Sequence, residues 1–181
     1  MESGLEREIK IRIASPPLKK IEEELDRLAK TLGTEEQTDY YFDKENMELT
    51  KGDKALRLRM TDTRSELTYK GPRLSDKVKA RAELSLMLED PESMRKILLN
   101  LGYNIILIVK KRRKNYDYRG AVISLDRVEE LGDFMEIEAN ALDDDGLISL
   151  TKELMKLLKV QGEFETRSYA QLLALKTGRS V

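Results

Sequence analysis

The stretch Glu6-Arg7-Glu8-Ile9-Lys10-Ile11-Arg12-Ile13 constrains this chain more than any other. Side chains on a strand alternate between faces, so Glu6, Glu8, Lys10 and Arg12 share one face. Ile9, Ile11 and Ile13 share the other, interrupted only by Arg7 near the start. The apolar face is the one to bury. The opposite face would be a solvated surface if it stood alone, but the same pattern recurs on strand after strand.

In Ala55–Met60, Leu56, Leu58 and Met60 alternate with Arg57 and Arg59. In Glu66–Lys70, Leu67 and Tyr69 stand opposite Thr68 and Lys70, and Gly71-Pro72 is expected to break the strand. In Val78–Leu88, Ala82, Leu84, Leu86 and Leu88 alternate with Arg81, Glu83, Ser85 and Met87. Val122–Val128 carries Asp126, with Ile123 and Leu125 on the other face. In Phe134–Asn140, Glu136 and Glu138 oppose Met135, Ile137 and Ala139. Further strands are expected at Thr34–Asp43 and at Tyr103–Arg113, the latter apolar first and then basic.

Helical spacing is rarer. Leu18, Ile21, Leu25, Leu28 and Leu32 predict a helix after Pro16-Pro17 that ends at Gly33. Met94, Ile97, Leu98 and Leu101 predict a second, from Pro91 to Gly102. A third is expected over about 145–158 and a short last one over about 167–175, with 175–181 as a frayed tail of one domain spanning 1–181. Glu8 precedes Pro16 by the spacing that separates Glu83 from Pro91, and both helices close in Leu-Gly, a faint internal repeat. About eight strands joined mostly by short turns, with three or four helices, predict an α+β fold: an eight-stranded antiparallel β-barrel with helices packed outside.

Composition limits the chemistry. There is no Cys and no His, which excludes disulfides, thiolate and imidazole catalysis, and His- or Cys-ligated metals. Any metal site must be built from oxygen ligands, which suits Mg²⁺, Mn²⁺ or Ca²⁺. Basic and acidic residues nearly balance, 33 against 34, so no nucleic-acid or membrane surface is expected. The longest apolar run, Ile105 to Val109, is too short to span a bilayer, and the acidic N-terminus lacks an apolar signal region, so a cytoplasmic protein is expected.

A barrel lined by Glu6, Glu8, Lys10, Arg57, Arg59, Lys70, Arg81, Glu83, Asp126, Glu136, Glu138 and one register of Lys110–Arg113 would hold both signs at close quarters. Salt bridges alone are a poor reason to fill a barrel with charge. A polyanion with divalent cations gives both signs a role: Arg and Lys take phosphate oxygens, and paired carboxylates hold metals.

The chain resembles the CYTH superfamily, also called triphosphate tunnel metalloenzymes. The family's Glu-x-Glu-x-Lys signature stands here as Glu6, Glu8 and Lys10. The similarity continues through Thr38-Asp39-Tyr40-Tyr41-Phe42, Ala55-Leu56-Arg57-Leu58-Arg59, Leu67-Thr68-Tyr69-Lys70-Gly71-Pro72 and Arg81-Ala82-Glu83. It ends with Lys111-Arg112-Arg113, Leu125-Asp126 and Leu131-Gly132-Asp133-Phe134-Met135-Glu136-Ile137-Glu138. The resemblance implies an eight-stranded tunnel and metal-binding acids at Glu6, Glu8, Glu136 and Glu138. It implies triphosphate ligands at Lys10, Arg57, Arg59, Lys70, Arg81, Lys111 and Arg113. Asp126 would join the metal or orient a base, Glu83 would pair with a base, and Tyr41 and Phe42 would pack. The choice of Lys111 and Arg113 over Lys110 and Arg112 follows the family's Lys-x-Arg-x-x-Tyr spacing to Tyr116; alternation leaves both registers open.

The implied activity is metal-dependent hydrolysis of a small triphosphate such as tripolyphosphate, ATP or thiamine triphosphate, by a monomer or homodimer. Class IV adenylyl cyclase is the alternative, since the segment from Lys70 to Glu83 resembles that branch. The His-Phe pair that such cyclases carry before the first strand is missing here, which ranks hydrolysis ahead. A non-catalytic nucleotide or polyphosphate binder is the third reading.

Overall fold

The computed structural model describes residues 2–74 and 79–178; for 2–6 and 79–80 it describes the backbone alone. Strand β1 (Glu2–Ser15) is followed by helix α1 (Leu18–Leu28), β2 (Lys30–Asp43) and a single helical turn, α2 (Glu48–Lys51). Then come β3 (Ala55–Met60), β4 (Ser65–Arg73), β5 (Lys79–Leu88), α3 (Pro91–Asn100), β6 (Asn104–Tyr118), β7 (Ala121–Val128) and β8 (Gly132–Glu138). Helix α4 (Asp144–Leu157), a short β9 (Gln161–Phe164) and α5 (Tyr169–Thr177) complete the order.

All pairings are antiparallel. The sheet runs β5-β4-β3-β2-β6-β7-β8-β1-β9, and β1 pairs a second time with β5. The length of β1 makes this possible. Its Glu2–Glu8 half lies against β5, while Glu8–Arg12 lies against β8. The second pairing closes eight strands into the expected ring. The ninth strand, which alternation did not signal, lies against Ile11–Ser15 of β1. Leaving aside the single turn α2, strand–helix–strand–strand–strand occurs twice, as β1-α1-β2-β3-β4 and β5-α3-β6-β7-β8, and the pairings β1–β5, β2–β6, β4–β5 and β1–β8 join the halves. That is the architecture the repeated Glu-to-Pro spacing hinted at.

The outward apolar faces bury under the helices. Leu18, Ile21 and Leu25 of α1, with Leu147 and Leu154 of α4, pack on Ile9, Ile11, Ile123, Leu125, Met135 and Ile137. Their spacing puts one stripe of each helix on the barrel wall, and full burial of each such side chain contributes about 1.5–3 kcal/mol. Leu98 of α3 covers Phe42 and Leu58. Helix α5 packs instead on Leu107, Val109 and Phe134, which belong to the barrel's inner face. Among the described residues no helix is long and apolar enough to cross a membrane.

Four expectations fail locally. Leu32-Gly33 does not end α1; the helix stops at Leu28, and both residues belong to β2. The ladder from Lys30 to Asp43 along β6 claims them, with a bulge between Thr31 and Gly33 where Gly33 takes φ +135°. Gly71-Pro72 does not break β4, which continues to Arg73 through a register shift after Lys70. A bulge tolerates a residue without an N–H. Leu84 and Leu86 do not bury: both are exposed on β5, and among the described residues no helix packs on that part of the wall. Finally, there are five helices among the described residues, since α2 adds a turn near Lys51-Gly52-Asp53. Val78 of the expected fifth strand and residues 179–181 of the expected tail lie outside the described residues.

Candidate functional site: a cationic tunnel

Alternation delivers the charged faces of β1, β2, β3, β4, β5, β6 and β8 to the inside of the ring. They line an open-mouthed cavity of about 160 Å³. Its lining includes Glu8, Lys10, Arg57, Arg59, Lys70, Arg81, Lys111, Arg113 and Glu136. With Lys54, Asp39 and Asp53, the lining holds eight bases and four acids. Thr166, Ser168 and the first turn of α5 also contribute to the lining, as do Thr50 and Asp53–Leu56.

The register of the Lys110–Arg113 run is settled. Lys111 and Arg113 point inward, whereas Lys110 is exposed and Arg112 reaches Glu22 of α1 at 2.8 Å. Tyr116 belongs to the outer core, its hydroxyl donating to Asp26 at 3.1 Å.

The bases are held by a layer of buried acceptors. Arg59 grips Asp39 through two bonds of 2.6 and 2.7 Å. Burial pushes the Asp39 carboxyl up, but the Arg59 charge and hydrogen bonds, with Arg57 and Lys111 behind them, outweigh it and hold it well below the usual carboxylate range. Lys70 pairs with Glu83, as the resemblance implied. Arg81 approaches Asp53 at 3.6 Å, and Asp53 also accepts from the Arg73 backbone at 2.8 Å. Arg57 donates to Thr68 at 3.2 Å, and its buried Nε has no partner.

Asp126 is fully buried behind the cavity wall. It accepts from Lys111 at 3.0 Å, from Arg113 Nε at 2.7 Å and from the Tyr169 hydroxyl at 2.8 Å. Of its two expected roles, this geometry fits orientation of bases rather than metal ligation, since no oxygen is left facing the cavity lining. Burial and the neighbouring Arg113 charge push the Lys111 ammonium down, against Asp126 and Glu136, to about 8. Glu136 bridges Lys10, at 3.2 Å, and Arg113.

The acids expected to hold metal are placed unevenly. Glu8 and Glu136 line the cavity. Glu138 stands directly opposite Glu8 across β1 and β8, is not part of the cavity lining, and accepts from Asn140 at 2.7 Å. The Glu6 side chain lies outside the described residues. Among the described residues no three acids converge into a ready-made cation site. The donor chemistry still fits a hard divalent ion: Glu8 and Glu138, directly opposite on neighbouring strands, bring carboxylate oxygens close together, the ligand type such ions prefer.

Several site residues escaped the sequence. Asp39 and Tyr41 alternate with Tyr40 and Phe42 and face inward; the same alternation could have found them. Tyr41 and Phe42 both touch the cavity lining, and Phe42 is also buried in the outer core with Leu58 and Leu98. Tyr169 gave no such signal, because it reaches the site from a helix.

A CYTH domain model matches residues 4–171. This chain belongs to the CYTH domain family. Family members act on triphosphates and generally depend on divalent metals. A curated relative, "Putative adenylate cyclase MJ0240" of Methanocaldococcus jannaschii, is 32% identical over 93% of this chain and 99% of its own length. Among solved structures, the PH1819 protein of Pyrococcus horikoshii OT3 is 33% identical over 94% of this chain and 99% of that one, with a TM-score of 0.78. The PH1012 protein from the same organism is 29% identical, over 92% and 98% of the two chains, with the same TM-score.

Proposed function

We propose that this CYTH protein hydrolyses a small triphosphate, inorganic or organic, in its tunnel with the help of Mg²⁺ or Mn²⁺. The observation that carries the reading is Arg57. A buried guanidinium Nε without an acceptor is costly, and here it belongs to a cavity whose lining holds eight bases and four acids, with Glu83 and Asp126 as two further acids behind it. A linear triphosphate supplies the balancing charge and, once the Arg57 side chain turns towards it, an acceptor for that guanidinium.

The chain's own residues then have distinct tasks. Arg57, Arg59, Lys70, Arg81, Lys111, Arg113 and Lys10 bind and straighten the phosphate chain, Arg by planar donor pairs and Lys as point charges. Asp39, Glu83, Asp53 and Asp126 hold those bases before the ligand arrives. Phosphoryl transfer asks little covalent chemistry of a protein, so such prearranged charge and alignment supply most of the rate enhancement. Glu8 and Glu136, with Glu138 and Glu6, are the residues that would hold a divalent cation. That cation, when bound, would neutralise charge on the phosphate oxygens. Water attacks the terminal phosphorus, the bridging P–O bond breaks, and orthophosphate is released.

A second reading, cyclisation of ATP to cyclic AMP and pyrophosphate, has an observation of its own. Tyr41, Leu56 and Ile106 give the cavity an aromatic and aliphatic wall that would suit a base, and the curated relative's name points the same way. Product analysis separates the two. Incubated with Mg²⁺ or Mn²⁺, the protein should release orthophosphate from ATP and process tripolyphosphate at least as well. Cyclic AMP as the dominant product, with tripolyphosphate intact, would overturn hydrolysis; tight binding without turnover of either would reduce the protein to a binder.

A further inference from the structure

Tyr169, the first residue of α5, stands where the C-terminal segment meets the cationic clamp. Its ring lies 3.8 Å from the Lys10 ammonium and 4.8 Å from that of Lys111. Its hydroxyl donates to Asp126 at 2.8 Å, the same carboxylate that receives Lys111 and Arg113. Phe134 meets the ring edge-on, with centroids 5.0 Å apart. The segment just before it is tied to the same lysine: the Glu165 N–H donates to the Lys10 carbonyl at 2.8 Å, and Lys10 Nζ donates to the Arg167 carbonyl at 3.2 Å. A capping box at Ser168 and Gln171 fixes where α5 begins, and Leu172 and Leu173 anchor it on Leu107, Val109 and Phe134.

We infer that Tyr169 is a positioning residue, an aromatic platform that fixes the Lys10 and Lys111 ammonium groups, so that α5 sets the geometry of the phosphate clamp. A lysine head on a four-carbon stem has no preferred direction of its own. Two ammoniums side by side also repel. The negative face of an aromatic ring attracts both, and the phenol hydroxyl holds the carboxylate that lies between Lys111 and Arg113. The platform therefore aligns two separate strands, β1 and β6, from a helix that is neither. The ligand side of this inference rests on the reading that Lys10 and Lys111 bind triphosphate.

The test compares Y169F, which keeps the ring and loses the hydroxyl, with Y169L and Y169M, which lose the ring. Affinity for tripolyphosphate is measured by calorimetry, well below each variant's thermal midpoint. Y169L and Y169M should weaken binding by about 10- to 100-fold, and Y169F by clearly less. A role confined to packing would lower the thermal midpoint and leave affinity in the folded protein alone, and that result overturns the inference. Independently, in wild-type protein carrying ε-¹³C lysine, the ring current should shift the methylene resonances of Lys10 and Lys111 away from the other lysines. Unshifted resonances overturn the platform even if the ring-deleted variants do not fold. Shifted resonances with no tripolyphosphate affinity overturn the proposed function and the ligand half of this inference, while the platform itself stands.

Discussion

Arg59 and Asp39 face each other across β2 and β3 and are joined by two hydrogen bonds in a nearly dry setting. Arg57, one turn of the pleat away on the same face, has only a threonine hydroxyl and an unfilled Nε. Two arginines that look equivalent in the sequence should therefore respond differently. Arg59→Ala strands a buried carboxylate and should cost about 3–5 kcal/mol of stability. Arg57→Ala should leave the denaturation midpoint nearly in place and weaken tripolyphosphate binding by about 10-fold or more. Chemical denaturation and calorimetry on both variants check the contrast; equal losses of stability would contradict it.

The same pair predicts how the fold responds to acid. Burial alone would raise the Asp39 carboxyl, but Arg59 holds it well below its unfolded value. A depressed carboxylate contributes stability above its unfolded pKa of about 3.9, and that contribution is lost as pH falls through the folded value. Unfolding free energy should hold level down to about pH 5 and drop below about pH 4. Asp39→Ala should be less stable at neutral pH and lose less on acidification. A denaturation series from pH 7 to pH 2 measures both slopes.

Above neutrality the clamp itself should respond. Lys111 is pushed down to about 8 by burial and by Arg113, so it loses its charge as pH rises through that value. Protonated Lys111 binds phosphate and the neutral amine does not. The pH profile of kcat/KM reports the free enzyme, and it should fall above about pH 8. Lys111→Arg should extend the plateau to higher pH, whatever its effect on the maximum. For stability the sign is opposite: the unfolded lysine keeps its proton up to about 10.4, so this group favours the fold more as pH rises from 8 to 10.

Much of this site was legible because strand alternation carries it. Lys10, Arg57, Arg59, Lys70, Arg81 and Glu136 sit at every second position of strands whose other face is apolar, and all of them line the cavity. The register of Lys111 and Arg113 was not legible by alternation, because Lys110 to Lys114 is basic throughout; the salt bridge of Arg112 with Glu22 on α1 decides it. Helix periodicity misled at Leu32, where a long ladder with β6 outweighed the spacing. The exposed Leu84 and Leu86 show the same limit from the other side, since an apolar strand face does not say whether a helix exists to cover it. Tyr169 and β9 were invisible: what they do depends on long-range docking that no local period encodes.

The acids at the β1–β8 seam should govern the metal requirement. Glu8 lies directly opposite Glu138 and lines the cavity, and a chain without His or Cys has only oxygen donors to offer. Glu8→Gln keeps the shape and hydrogen-bonding capacity but removes one charge. Apparent affinity for Mg²⁺ or Mn²⁺ should fall by at least about 10-fold, with turnover lost at limiting metal and the metal-free protein still folded. A metal titration of activity, paired with melting in chelator, checks both halves. Wild-type metal dependence in the variant would remove Glu8 from the metal set.

Gly162 links fold and site most tightly. It lies in β9 opposite Ile13, and a Cβ there would run into the Arg12 carbonyl oxygen and come within 2.8 Å of the Ile11 side chain. The obstruction is backbone, so no side-chain rotation relieves it. Gly162→Ala should destabilise the protein by about 1–3 kcal/mol by forcing β9 off the edge of β1. Its functional consequence is more informative. Strand β9 leads directly into Glu165 and Arg167, whose backbone groups hold Lys10, and then into Tyr169. A displaced β9 should therefore weaken tripolyphosphate binding although Gly162 itself does not line the cavity. Hydrogen exchange should rise at the β1–β9 amides, and calorimetry at a temperature where the variant is folded should show the loss of affinity. Undiminished binding with rapid β9 exchange would mean that α5 holds the clamp without the strand that leads to it.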